Sequence, residues 1–168
     1  AAGFGSLRWL NDLFQKHYHM SPTALRKSLT TGNIPTSGIT VQLGYHPPYC
    51  WEEILKFLSQ RAISGVEKIT SKKYMRTVHL PDKNGAWCSG WISVEDNPKK
   101  HTICVTFSDT LVPVLSQVLT RVKRLFDLYC DSEIVYETLQ ALNGIKPGVC
   151  ASGLRVPGCF DAFETAVC

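Results

Sequence analysis

Asp161 and Glu164 stand three residues apart, and paired carboxylates are the usual equipment of general acid–base chemistry. The same spacing at the start of an apolar-periodic segment is that of a capping box. That reading accounts for both residues without any reaction. Glu52 and Glu53 fall in the first turn of a predicted helix, where negative charge favours the helix dipole. His17 and His19 are two apart on a helix end, so they point in different directions and cannot share a metal. His46 sits beside Pro47-Pro48 with no partner at ligand spacing. The seven cysteines, Cys50, Cys88, Cys104, Cys130, Cys150, Cys159 and Cys168, are odd in number and contain no C-x-x-C. They read as scattered reduced thiols of a cytosolic protein, not as a zinc site or a disulfide scaffold. Arg121, Lys123 and Arg124 could touch phosphate, but a solvated face favouring the dipole at a helix C-terminus is the better reading of them. No G-x-G-x-x-G, P-loop, G-x-S-x-G or H-E-x-x-H occurs, which removes the commonest nucleotide, hydrolase and zinc-protease readings. The residues thus offer no catalytic constellation, no metal site and no cofactor motif.

The elements that must position these groups can be read from pattern. The chain has 168 residues, 44% hydrophobic and 19% charged, enough for one domain with a sizeable core and too apolar for a disordered tail. No apolar run approaches the ~20 residues that cross a bilayer. The net charge is +4, and +3 of it lies in residues 1–30, where Arg8, Lys16, Arg26 and Lys27 face only Asp12. Leu7, Leu10, Leu13, Phe14 and Tyr18 recur at helical steps behind Ser6, and Ser21-Pro22 opens a second short helix. Residues 31–38, rich in Gly, Pro and Thr, read as a linker.

Beyond the linker, residues 39–43 alternate apolar and polar as a half-buried strand does. A helix is predicted over 50–62, strands over 66–70, 73–80, 86–95 and 101–108, and a long amphipathic helix over 112–128, with Ser116, Gln117, Arg121 and Lys123 facing away from its apolar stripe. A further helix, 131–142, starts at Asp131 and should stop in a left-handed turn at Asn143-Gly144. The order strand–helix–strands–helix predicts an α+β fold, an antiparallel sheet with helices packed on one face and a short helical stub in front. The apolar helix beginning near Ala162 reaches barely two turns, too few to be stable alone, which suggests a piece of a longer protein.

Two resemblances account for this layout. Phe4-Gly5-Ser6 ahead of a helix, then Phe14, then Ser21-Pro22-Thr23-Ala24-Leu25-Arg26, resemble the C-terminal half of an AraC-type DNA-binding domain. That resemblance implies DNA contacts through Ser6, Arg8, Asn11 and Gln15. Tyr45-His46-Pro47-Pro48-Tyr49-Cys50-Trp51, the run Phe57 to Glu67, Arg124-Leu125-Phe126-Asp127-Leu128, and Gly153 to Glu164 resemble the N-terminal region of bacterial 3-methyladenine DNA glycosylase II. Cys50 stands where that family has Asp, which removes a good helix cap. The second resemblance implies a TBP-like α+β domain over 39–145 and, over 146–168, the start of a helical glycosylase domain. The helix-hairpin-helix and the catalytic aspartate of the family belong to that later part, so no catalytic residue is expected here. A downstream helical domain is expected to pack on this one, with DNA as partner of the whole protein and the cytoplasm as its location. The order regulator then glycosylase resembles fused bacterial alkylation-response proteins. Two other readings stay open, a sequence-specific regulator of AraC type and a free-standing TBP-like module that binds a protein.

Overall fold

The computed structural model describes residues 38–167. Residues 1–37, with the predicted stub and linker, lie outside the described residues. Five strands form one antiparallel sheet: β1 (Ile39–Gly44), β2 (Glu67–Ile69), β3 (Lys73–Pro81), β4 (Trp87–Asn97) and β5 (Thr102–Phe107). Their order across the sheet is β1-β5-β4-β3-β2. β3, β4 and β5 succeed one another through tight turns, so each pairs with its predecessor, whereas β1 closes the far edge against β5 with Val41 opposite Val105. The α+β fold with an antiparallel sheet is the one that the pattern predicts.

Alternation decides what each face meets. Val41 and Leu43, Tyr74 and Val78, Ile92 and Val94, Ile103, Val105 and Phe107 all point to one face and are buried. Onto that face pack α1 (Trp51–Gln60), through Trp51, Ile54, Leu55 and Leu58, and α2 (Leu115–Leu125), through Val118, Leu119, Val122 and Leu125. Burial of each such side chain contributes roughly 1.5–3 kcal/mol. Two more short helices come after these, α3 (Ser132–Leu139) and α4 (Ala162–Val167).

Three expectations need correction. The long helix predicted over 112–128 is shorter, because Pro113 sits inside a 3-10 segment, Asp109–Val114, and the α-helix begins only at Leu115. Proline lacks the N–H and crowds the preceding turn, so it is tolerated ahead of an α-helix and not within one. At the other end Asp127 turns left-handed (φ 49). Its N–H bonds to Arg124 O and that of Leu128 to Lys123 O, a Schellman stop with Asp in place of the usual glycine. The left-handed stop expected at Asn143-Gly144 does not form. The chain tightens there into a 3-10 turn, Gln140–Gly144, and the Asn143 side chain instead clasps Cys150, donating to its carbonyl at 2.8 Å and accepting from its N–H at 2.9 Å. Asp131 does cap α3, accepting from the N–H groups of Glu133 and Ile134. Cys50, at the N-cap of α1, makes no side-chain cap bond, as its exchange for Asp implies; its thiol donates to Ser152 O at 3.3 Å.

Candidate functional site

β3 presents Tyr74, Arg76, Val78 and Leu80 to the covered face. An arginine in that register is out of keeping with its neighbours, and at 4% exposure its charge must be paired, since an uncompensated buried ion costs several kcal/mol. Arg76 Nη1 lies 3.4 Å from Glu67 Oε1 and Nη2 lies 2.5 Å from Glu164 Oε1. The ring of Phe160 stacks on the guanidinium, 3.9 Å from ring centre to Cζ, a geometry that adds cation–π attraction. Tyr74 donates its hydroxyl to Glu67, and burial raises the pKa of that phenol, so it remains a neutral donor. Arg76 thereby ties β3 to the first turn of α4.

A second tie lies alongside. Asp161 accepts from Phe163 N–H at 2.9 Å through Oδ1 and from Arg121 Nη1 at 2.6 Å through Oδ2. Hydrogen bonding from Arg121, then from the Phe163 N–H, holds this carboxyl below the usual range. Asp161 therefore acts as the cap that the spacing predicts. The Glu164 carboxylate also pairs with Arg76. Arg121 is corrected: instead of facing freely into solvent it is half-buried against Asp161 and the Phe160 carbonyl. Lys123 lies over the ring of Tyr129, and Arg124 is exposed.

Arg155 forms a third tie. It is 4% exposed, and its planar fork serves carbonyls from two segments, 46–48 and 127–130. Nη1 donates to Asp127 O at 3.1 Å and to Cys130 O, while Nη2 donates to His46 O and, at 3.4 Å, to Pro48 O. Ser132 Oγ and the Tyr49 ring complete its surroundings. The Pro47-Pro48 bond, between two of these carbonyls, is cis. Gly153 takes φ 83, and a Cβ there would stand 3.0 Å from the Pro48 carbonyl carbon, so the close approach that lets Arg155 reach requires glycine.

Sequence reasoning missed both buried arginines. The signal for Arg76 was present as a charge at an inward position of an alternating strand; for Arg155 nothing local distinguishes it. The predicted DNA-contact residues Ser6, Arg8, Asn11 and Gln15, and His17 and His19, lie outside the described residues. Among the described residues no three His, Cys, Asp or Glu side chains are placed to hold a metal, and no helix is long and apolar enough to cross a membrane. Asp161, Glu164 and Glu67 serve as structural ties, so the site fastens residues 155–164 to the sheet.

The family model of the AlkA N-terminal domain matches residues 40–161, which include all of these ties except Glu164. The chain belongs to the AlkA N-terminal domain family. Among curated relatives of this AlkA-type chain, the DNA-3-methyladenine glycosylase 2 of Escherichia coli K12 is 36% identical over 125 residues, covering 74% of the chain and 41% of that protein. The probable bifunctional transcriptional activator/DNA repair enzyme AlkA of Mycobacterium tuberculosis H37Rv is 30% identical over 172 residues, 99% of the chain and 33% of that protein. The chain thus spans well under half the length of either relative.

Proposed function

We propose that this chain is the non-catalytic N-terminal domain of a DNA-3-methyladenine glycosylase II acting in base-excision repair of alkylated DNA. Beside the family, the observation that carries the reading is an exposed apolar series along α3 and the turn after it. Ile134, Val135, Leu139, Leu142 and Ile145 are between 38% and 84% exposed. Val156 and Phe163, flanking the ties to α4, are 81% and 73% exposed. Clusters of this kind mark interaction surfaces. In this reading a downstream helical domain, corresponding to the remaining length of the relatives, packs over them and carries the chemistry. Removing a base requires a pocket for the flipped nucleotide and a carboxylate near the sugar.

The 168-residue chain is accordingly expected to release no 3-methyladenine from methylated DNA above a no-protein control, while a polypeptide continued through the length of the relatives releases it. Chromatography of the freed bases is the measurement. Release by the short chain would overturn the reading and return attention to Asp161 and Glu164.

A second reading, a regulator of AraC type acting through Ser6, Arg8, Asn11 and Gln15, is favoured by one observation. The mycobacterial relative, whose name includes transcriptional activator, aligns with 99% of the chain, whereas the family model begins at residue 40. Under the leading reading the segment 1–30 meets DNA through its charge alone. Its +3 charge then attracts phosphate without selecting sequence, and such binding collapses with salt. Fluorescence anisotropy on a promoter-like duplex and a scrambled one should show little discrimination. A preference of tenfold or more at physiological salt would promote the regulator reading.

A further inference from the structure

The helices cover one face of the sheet, and among the described residues no helix lies on the other. That open face carries Lys73, Met75, Thr77 and His79 of β3 across from Glu95, Ser93, Trp91 and Ser89 of β4, and then Thr106 and Cys104 of β5. A groove of about 720 Å³ runs over it, lined by Trp91, Met75, Thr77, Lys68, Lys73 and Thr106 among others. Two tryptophans stand on this face, and both are exposed, Trp87 by 64% and Trp91 by 43%. They are four residues apart on one strand, hence about 13 Å apart along it.

The Trp87 ring and the Trp91 backbone are both held in place. The imidazole of His79 stacks flat on Trp87, with centroids 4.5 Å apart and planes 5° apart, and is itself fixed by Ser89 Oγ at 2.7 Å. Trp91 sits on backbone clamped from behind: its N–H donates to Ser108 Oγ and its carbonyl accepts the Ser108 N–H. Thr110 adds a bond to Ser89 O. Gly90 permits this clamp, since a Cβ there would fall 2.1 Å from Ser108 Oγ. The strand is thus held so that two flat apolar rings are offered outward.

Charge says what they are offered to. Lys68 and Lys73 lie on the open face, and Lys72, Lys83, Lys99 and Lys100 stand in the turns that rim the sheet. Against them stand Glu95, which pairs with Lys73 at 2.5 Å, and Asp82, which is bound up in its own turn. The other acids of residues 66–107 are turned away, Glu67 to Arg76 and Asp96 to the Tyr45 hydroxyl. Residues 31–168 as a whole are almost neutral, so the excess of lysine is local to this face. Exposed rings among cations are the equipment for stacking unpaired bases while holding their phosphates. The threonine and serine hydroxyls between the rings add hydrogen-bonding groups suited to base edges.

We propose that the open sheet face binds single-stranded DNA, with Trp91 and Trp87 stacking on unpaired bases and the surrounding lysines holding the phosphates. The surface is separate from the ties to α4 and from the apolar series on α3, and the inference does not depend on a catalytic domain. The test is fluorescence anisotropy of the 168-residue chain with a labelled thymidine oligonucleotide of about 12 nucleotides, a duplex of equal length, and an abasic strand of equal length. The single strand should bind roughly tenfold more tightly than the abasic strand, because stacking contributes that much per base, and more tightly than the duplex. Trp87→Ala and Trp91→Leu should each weaken single-strand binding by roughly tenfold and should leave thermal unfolding nearly unchanged. Arg8→Ala should leave the preference for the single strand over the abasic strand intact. Equal affinity for the abasic strand, or equal affinity of wild type and both tryptophan variants, would overturn the proposal. So would self-association of the chain in sedimentation that Trp91→Leu abolishes, which would make a second copy the occupant.

Discussion

Arg155→Ala is expected to cost about 4–5 kcal/mol of stability, because removing a buried hydrogen-bonded charge leaves its partners stranded. The guanidinium alone answers the carbonyls of His46 and Cys130, and it shares in answering those of Pro48 and Asp127. Each buried acceptor left empty costs roughly 1–3 kcal/mol, less where water or a shift of the chain can reach it. The loss is a large part of the ~5–15 kcal/mol that an ordinary domain possesses, and corresponds to a fall in Tm of roughly 10–15 °C. Arg155→Lys keeps the charge and the stem but replaces a planar fork by a point donor. It should fall between wild type and Arg155→Ala. The measurement is thermal unfolding followed by circular dichroism in all three proteins. A melting temperature of Arg155→Ala within about 2 °C of wild type, or a lysine variant no better than alanine, would show that the carbonyls find other partners and that the hub has little energetic weight.

The second large effect belongs to Arg76. Arg76→Ala should destabilise by about 3–5 kcal/mol, the usual cost of removing one partner of a buried ion pair. Glu67 is left with its carboxylate 11% exposed, and Phe160 loses the cation it covers. The prediction distinguishes a stranded charge from a simple loss of contacts. Arg76→Met combined with Glu67→Gln keeps the volume and removes both charges, and it should recover most of the deficit, since replacement of a buried pair by apolar groups is often neutral. Glu164→Gln tests the other end. Its carboxylate is 29% exposed and better screened, so the global cost should be smaller, while amide exchange over residues 161–164 speeds up as α4 loosens. If the double variant is as unstable as Arg76→Ala, packing of the side chain and not its charge is what matters.

The ties through Arg76, Arg121 and Arg155 also bear on how this domain would orient a C-terminal neighbour. The segment 155–164 is fastened at three points, to β3 through Arg76, to α2 through Arg121 and to the turns at 46–48 and 127–130 through Arg155, so the first turn of α4 is held in a set direction. The exposed apolar residues of α3 are set by the same framework, because Ser132, at the start of that helix, donates to Pro48 O at 3.0 Å beside the Arg155 fork. A domain packed over α3 would therefore be oriented by contacts that lie wholly within this chain.

The class of fold and the face each strand buries are legible in the order of residues alone. Period-two alternation in β1, β3 and β5 and the apolar stripe of α2 are local, and each needs only a few neighbouring residues to be read. The Asp161 cap and the Asp131 cap were legible for the same reason, since a cap binds N–H groups two or three residues away. Motif resemblance also identified the family, through runs of adjacent residues. Folding in three dimensions was needed to choose which acid Arg76 would meet, 88 residues distant in Glu164, and which carbonyls Arg155 would gather, up to 109 residues away. No local pattern encodes such pairings, because they depend on how separate elements are stacked. The helix ends at Pro113 and Asp127 lie between the two cases: proline announced a limit, but only packing of Val156 N–H on the Asp127 carboxylate favoured a left-handed aspartate where glycine is usual. The open face with Trp87 and Trp91 belongs to the tertiary structure too. Alternation places both rings on one side of β4, but only the stacking of every described helix on the opposite side leaves them bare.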